Sequence, residues 1–241
     1  MILEILEWCI TPSSWLARRS GLLAEQIAIR YRANRCRMAW KPHLDACKSF
    51  VARNTNVGGH VVILGSGHLN DVDWKFLNDR FDKITLVDVV HPLEIQCRAF
   101  FSKRSVNLVA CDVTGLLSDR ESPSSICGLL SEADVALSIC LLSQLALPFQ
   151  KRWQDLPSSE RTARVHKIYE EHLAQLRLAT KALVITDVAQ RYDSNDEWAS
   201  LLHDFPLPES SDSWIWEIAP PHEHGIPERG SEHRRVEAFV L

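Results

Sequence analysis

Residues 61–71 read VVILGSGHLND, four apolar residues that run directly into a Gly-Ser-Gly turn. A short apolar run of this kind is expected to form a strand buried on both faces. Glycine at 65 and 67 lets the backbone take positive φ and lets a ligand approach without meeting a β carbon. In an open parallel sheet, ligands bind beyond the carboxyl ends of the strands. The turn therefore marks a candidate ligand site, although glycine turns after strands also occur for packing alone.

Outward from this turn, the chain after Gly59 alternates apolar strands with helical segments. Strands are expected at 60–64, 83–87, 106–110, 133–139 and 181–186, and helices at 72–80, 92–103, 124–131, 142–152 and 158–180. Short apolar strands separated by helices indicate a parallel sheet covered on both faces. The last two segments, SWIWEIAP and HRRVEAFVL, alternate instead, and the Pro/Gly-rich loop between them has no room for a crossover helix. They are expected to pair as an antiparallel hairpin. The expected fold is α/β, a doubly wound, mostly parallel seven-stranded sheet over 57–241, with an N-terminal helical extension or cap over 1–56. Within the cap, helices are expected at 13–35 and 42–53.

Composition narrows the class. The 241 residues are 46% hydrophobic and 24% charged, values of a globular chain rather than a disordered one. A net charge of −4 gives no electrostatic reason to expect nucleic-acid binding, and the basic runs RRSG and RANRCR read as solvated helix faces. No apolar stretch reaches the roughly 18 residues of a membrane span. The N-terminus MILEILEWCITPSS carries acids before its apolar positions, unlike a secretory signal, so a cytoplasmic location is expected. Seven scattered cysteines without a CxxC pair read as reduced, buried thiols, with no metal site.

Two acids give the turn a context. Asp88 ends the second strand, where a carboxylate can accept hydrogen bonds from both hydroxyls of a ribose; alternatively it caps the following helix. Asp112 ends the third strand, followed by Val113, where it can accept from an exocyclic amine or serve as a turn aspartate.

Gly-Ser-Gly, Asp and Asp-Val at three successive strand ends resemble the class I S-adenosylmethionine-dependent methyltransferases. The resemblance implies a cofactor site at Gly65, Ser66, Gly67 and His68, with Asp88 on the ribose, Asp112 and Val113 on the adenine, and Ser138 at the fourth strand. It also implies an antiparallel seventh strand in a terminal hairpin. The chain departs from the family pattern in having Ile63 where many members carry an acid, and His68 and Leu69 in place of a third glycine. Asp71 is a possible substitute for that acid, or a helix cap.

Methyl transfer needs the acceptor held in line and a base only in some cases. The candidate catalytic groups are Ser138 and Gln144, with Ser143 beside them, and Asp187 at the end of the fifth strand. No N-P-P-[YFW] signature of base methylation is present. The acceptor is expected to be a small molecule or a protein. A NAD-dependent oxidoreductase is the alternative, but Asn70 breaks the G-x-G-x-x-G spacing and Tyr169 is followed four residues on by Leu173 rather than lysine. A non-catalytic scaffold of the same fold is a further alternative, motivated by Ile63. His91 lines the site or only leads into Pro92, and His222, Glu223, His224 and His233 read as solvated groups of a loop over its mouth. Trp214 and Trp216 share one strand face and are expected in the core.

Overall fold

The computed structural model describes residues 2–117, 123–223 and 227–241. The cap comprises α1 (Ile2–Ile10), α2 (Trp15–Arg19), α3 (Leu22–Arg35) and α4 (Arg37–Asn54). The helix expected over 13–35 is broken by Gly21, whose φ of 84° lies in the left-handed region. The helix expected from 42 begins five residues earlier and runs through Pro42. Proline there removes one intrahelical hydrogen bond. The helix persists because Trp40, His43, Cys47, Phe50 and Val51 form one continuous buried face, each large apolar side chain contributing about 2 kcal/mol.

Eight strands follow: β1 (His60–Leu64), β2 (Lys83–Asp88), β3 (Ser105–Ala110), β4 (Val135–Ile139), β5 (Ala182–Tyr192), β6 (Asn195–Ser200), β7 (Asp212–Ala219) and β8 (Glu232–Val240). The path through the sheet is β3-β2-β1-β4-β5-β8-β7. The first five strands pair in parallel, and β8 joins β5 and β7 antiparallel, as the terminal hairpin required. The expected sheet is thus present, with one addition: β5 continues past residue 186 and folds back on β6, which lies off the path.

Helices α5 (Trp74–Arg80), α6 (Leu93–Phe100), α7 (Pro123–Ser131) and α8 (Ser158–Leu176) connect the parallel strands. The helix expected over 142–152 is replaced by two short 3-10 turns, Leu142–Gln144 and Leu147–Phe149. Pro148 within that segment cannot donate the hydrogen bond a regular helix would need.

The two faces of β1 divide the core by strand parity. Val62 and Leu64 pack with Leu130, Ile168 and Leu173 of α7 and α8. Val61 and Ile63 pack with Phe50 and Leu77 of α4 and α5. Because the chain winds outward from β1 to β3 and then returns to β4, strand order reverses between β1 and β4, and a crevice opens above their carboxyl ends.

Candidate functional site at the carboxyl edge of the sheet

A cavity of about 650 Å³ occupies that crevice, walled by the ends of β1 to β5 and covered by α3. The Gly-Ser-Gly turn forms its floor. Gly65 and Gly67 have φ of 67° and 46°, as the sequence required. The N–H groups of Gly65 and Ser66 donate to the Val87 carbonyl at 2.9 and 3.2 Å, pinning the turn to β2. A β carbon on Gly65 would lie 2.8 Å from Leu141 Cδ1, so the turn also packs tightly against the segment after β4. Ser66 Oγ is buried on the cavity wall without a partner among the described residues, a donor positioned for a ligand.

Asp88 stands beside the turn. Its Oδ2 accepts from Gly67 N–H at 2.7 Å and from the Gln26 amide at 3.5 Å, and its Oδ1 accepts from Val90 N–H at 3.3 Å. Burial raises the Asp88 carboxyl pKa, against the backbone donors that lower it. Gln26, on α3, also sits 3.6 Å from the position of a Gly67 β carbon. It was not identifiable from sequence, because only tertiary packing brings α3 over the turn.

Several expected site residues have other partners. His68 ties the turn to the cap: Nδ1 pairs with Glu94 at 2.8 Å and Nε2 with the Gln26 carbonyl at 2.9 Å, so its imidazole is already committed. The hydrogen bond from His68 lowers the pKa of Glu94. Asp112 borders the cavity with Val113, but its carboxylate accepts from Thr114 N–H at 2.9 Å, Thr114 Oγ at 2.8 Å and Leu117 N–H at 2.9 Å, the pattern of a turn aspartate.

Ser138 is fully buried and does not wall the cavity. Its Oγ lies 2.8 Å from His172 Nε2 on α8. It alternates with Leu137 and so faces α8 rather than the crevice. Ser143 and Gln144 do reach the cavity. Ser143 Oγ donates to Asp187, and Gln144 Nε2 donates to the Cys140 carbonyl at 2.6 Å.

Asp187 lies within β5 rather than at its end, at a shift in register between Asp187 and Ala189. Such an irregularity re-aims a side chain, and here Asp187 is placed in the cavity wall, 3.3 Å from Arg234 Nη1. Tyr169 joins this group. Burial and then the nearby Asp187 push its pKa up to about 12, so the phenol is neutral. Neither Tyr169 nor Arg234 carries a sequence signal of its role; the first looks like helix core and the second like one of two adjacent strand arginines.

Asp71 has a clear placement. Asp73 caps α5, accepting from Lys75 N–H at 2.8 Å, which leaves Asp71 free to line the cavity. Asp71 Oδ1 is 3.5 Å from Nε2 of His43, a residue behind the wall that is 1% exposed. Trp216 stacks on His43 with centroids 3.9 Å apart, and Trp214 Nε1 donates to His43 Nδ1 at 3.0 Å. Both tryptophans are packed as expected, and Trp216 also reaches the cavity, with its Nε1 buried and without a partner among the described residues. Burial lowers the affinity of His43 for a second proton, while the nearby Asp71 and Cys140 favour one. The Trp214 N–H opposes a proton on Nδ1, and we take the ring as neutral with its hydrogen on Nε2.

The remaining histidines stand apart. His91 is buried beside Asp88, where burial lowers its pKa, and leads into α6 through Pro92. Glu223 holds Arg35 bidentately at 2.6 and 2.9 Å, joining the hairpin loop to the cap. His222 is exposed, His233 pairs with Asp193 at 2.8 Å, and His224 lies outside the described residues.

No family model matches the chain, and no curated protein matches it. Among solved structures, it is similar to the 1,6-didemethyltoxoflavin-N1-methyltransferase of Burkholderia thailandensis, at 17% identity and a TM-score of 0.46, covering 94% of this chain and 90% of that one. It is similar to the magnesium protoporphyrin IX methyltransferase of Synechocystis at 12% identity and a TM-score of 0.42, covering 85% and 80%. A chain described as a Zn-dependent alcohol dehydrogenase of Rhodobacter sphaeroides matches at 13% identity and a TM-score of 0.37, over 58% of this chain and 45% of that one. The strand order, parallel through β3-β2-β1-β4-β5 and closed by an antiparallel hairpin, is a Rossmann-like arrangement. No helix among the described residues is long and apolar enough to cross a membrane.

Proposed function

We propose that this protein binds S-adenosylmethionine in the crevice above β1, β2 and β4 and transfers its methyl group to a small-molecule acceptor. One observation carries the reading: the cavity floor is a positive-φ Gly-Ser-Gly turn with Ser66 Oγ unpartnered, flanked by the strand-end carboxylate of Asp88. The lining suits a nucleoside. Asp88 and Gln26 offer acceptor and donor to a ribose diol, while Val113 borders the adenine side. Asp112 shapes the adenine loop through its own turn, and Asp71 supplies the acid that Ile63 does not.

When bound, the cofactor supplies an electrophilic sulfonium methyl. The protein's own part is to hold an acceptor in line and exclude water. Asp187, oriented by Ser143 and Arg234, is the group placed to accept a hydrogen bond or a proton from the acceptor, and neutral Tyr169 can donate one. The antiparallel β7-β8 ending disfavours the NAD-dependent alternative, whose sheets usually end in a further parallel strand.

Isothermal titration with S-adenosylmethionine and S-adenosylhomocysteine tests the cofactor. Heat with either on folded protein is expected, and no heat with both overturns the reading. Transfer of label from methyl-labelled cofactor to a component of a cell extract then separates an enzyme from a scaffold that only binds.

A further inference from the structure

His43 Nε2 is surrounded by Cys47 Sγ at 3.6 Å, Cys140 Sγ at 3.7 Å and Asp71 Oδ1 at 3.5 Å. The donor atoms of His43, Cys47 and Asp71 all lie within 4.8 Å of one another, a set that suggests a metal ion. The other ring nitrogen argues against one. A metal-bound histidine donates its remaining N–H to an acceptor. Nδ1 of His43 instead accepts from Trp214, whose indole can only donate. Nε2 therefore carries the hydrogen and has no lone pair for a metal.

The same geometry suits sulfur chemistry. Both thiols lie against the same imidazole nitrogen, whose N–H can stabilise either as a thiolate. They are not equivalent. Cys140 is on the cavity wall directly after β4, at a φ of 52°, a strained conformation for a side chain other than glycine. Cys47 is sealed behind it at 0% exposure. We propose that Cys140 and Cys47 form a reversible disulfide, with Cys140 the thiol that meets the oxidant and Cys47 the thiol that resolves it.

The oxidant is a low-molecular-weight disulfide of the glutathione class. The Cys140 thiolate attacks one of its sulfurs, breaking that S–S bond and expelling a small thiolate. Cys47 then attacks Cys140 sulfur, forming the protein disulfide and expelling the second small thiolate. The protons lost by the two cysteines end on the two released thiols, so two electrons pass from the protein to the reagent. Burial raises the pKa of Cys47, and the neighbouring Cys47 and then burial raise that of Cys140, so both rest as protonated thiols.

The pair is coupled to the glycine turn. Leu141, the next residue after Cys140, approaches within 2.8 Å of the space above Gly65. Drawing Cys140 toward α4 shifts the contact that shapes the cofactor floor. Oxidation is therefore expected to weaken cofactor binding, and this second consequence rests on the proposed function, whereas the disulfide does not.

The test is to incubate the full chain with oxidised glutathione at mildly alkaline pH, block free thiols with N-ethylmaleimide and map peptides by mass spectrometry. A Cys47–Cys140 cross-link reversed by dithiothreitol is expected. In the Cys47→Ser variant, Cys140 should stop at a mixed disulfide carrying one glutathione. Recovery of Cys140 as the maleimide adduct while exposed Cys9 and Cys97 are glutathionylated overturns the proposal; the wild-type map decides this even where a variant fails to fold. Titration with S-adenosylmethionine is expected to show roughly tenfold weaker binding to the oxidised form. Equal affinity overturns the coupling, while absence of binding in both forms overturns the methyltransferase reading and leaves the disulfide map standing.

Discussion

Gly67 sits at a φ of 46° with its N–H 2.7 Å from Asp88, and a β carbon there would lie 3.6 Å from Gln26 Oε1. A branched residue there is strained in its backbone and crowds Gln26. Gly67→Val is expected to lower S-adenosylmethionine affinity at least about tenfold in a titration; unchanged affinity would contradict the placement of the cofactor. Ser66 gives the converse case. Its hydroxyl is buried without a partner, so Ser66→Ala should leave folding stability within about 0.5 kcal/mol by urea denaturation, because no hydrogen bond is lost. Its cost should fall on cofactor affinity alone. At this scale the sequence was informative for residues whose role follows from local position. Gly65, Gly67 and Asp88 end strands, and a strand end in a parallel sheet faces the crevice. Ser138 faces α8 rather than the crevice because one step along a strand reverses the face. His43, Gln26 and Tyr169 carried no signal, since each reaches the site from a different element.

Helix α8 covers the sheet face that contains Ser138, and its His172 meets Ser138 there, 3% exposed, with Nδ1 lacking a partner among the described residues. Burial pushes its pKa down to about 4 from an ordinary value of 6.5. As pH falls from 6.5 toward 4, the unfolded chain takes up a proton that the folded chain refuses, so stability declines through that window. The loss between pH 7 and 5 is about 2 kcal/mol. Urea denaturation at the two pH values should show it, and His172→Gln should flatten the dependence; an equal slope in the variant would place the acid sensitivity elsewhere. Element boundaries were legible where apolar periodicity was strong, as in β1 and β2. They were misread where packing overrides a breaker, as when α4 continues through Pro42, and where a strand outruns its apolar run, as in β5.

In the whole molecule, the cap and the sheet close the cavity through dispersed contacts. Arg30 of α3 bonds Glu7 of α1 at 2.7 Å and approaches Glu94 of α6, His68 ties the turn to α3, and Arg35 holds Glu223. A ligand that touches both layers should stabilise them together. S-adenosylmethionine at a hundred times its dissociation constant is expected to add about 2.7 kcal/mol. For a chain of this length that is a rise of roughly 5–10 °C in thermal midpoint. Differential scanning fluorimetry checks it, and a midpoint independent of cofactor would count against binding.

By itself the sequence determined the parallel α/β sheet, its antiparallel ending, the glycine turn and the acid beside it, because hydrophobic period, turn residues and strand ends are local properties of the chain. The tertiary structure alone decided which face each strand residue takes, that α3 covers the turn, that Asp71 rather than a helix cap role falls to the cavity, and that His43, Cys47 and Cys140 meet. Those depend on register and on packing between residues nearly a hundred positions apart, a range over which no sequence pattern carries distance.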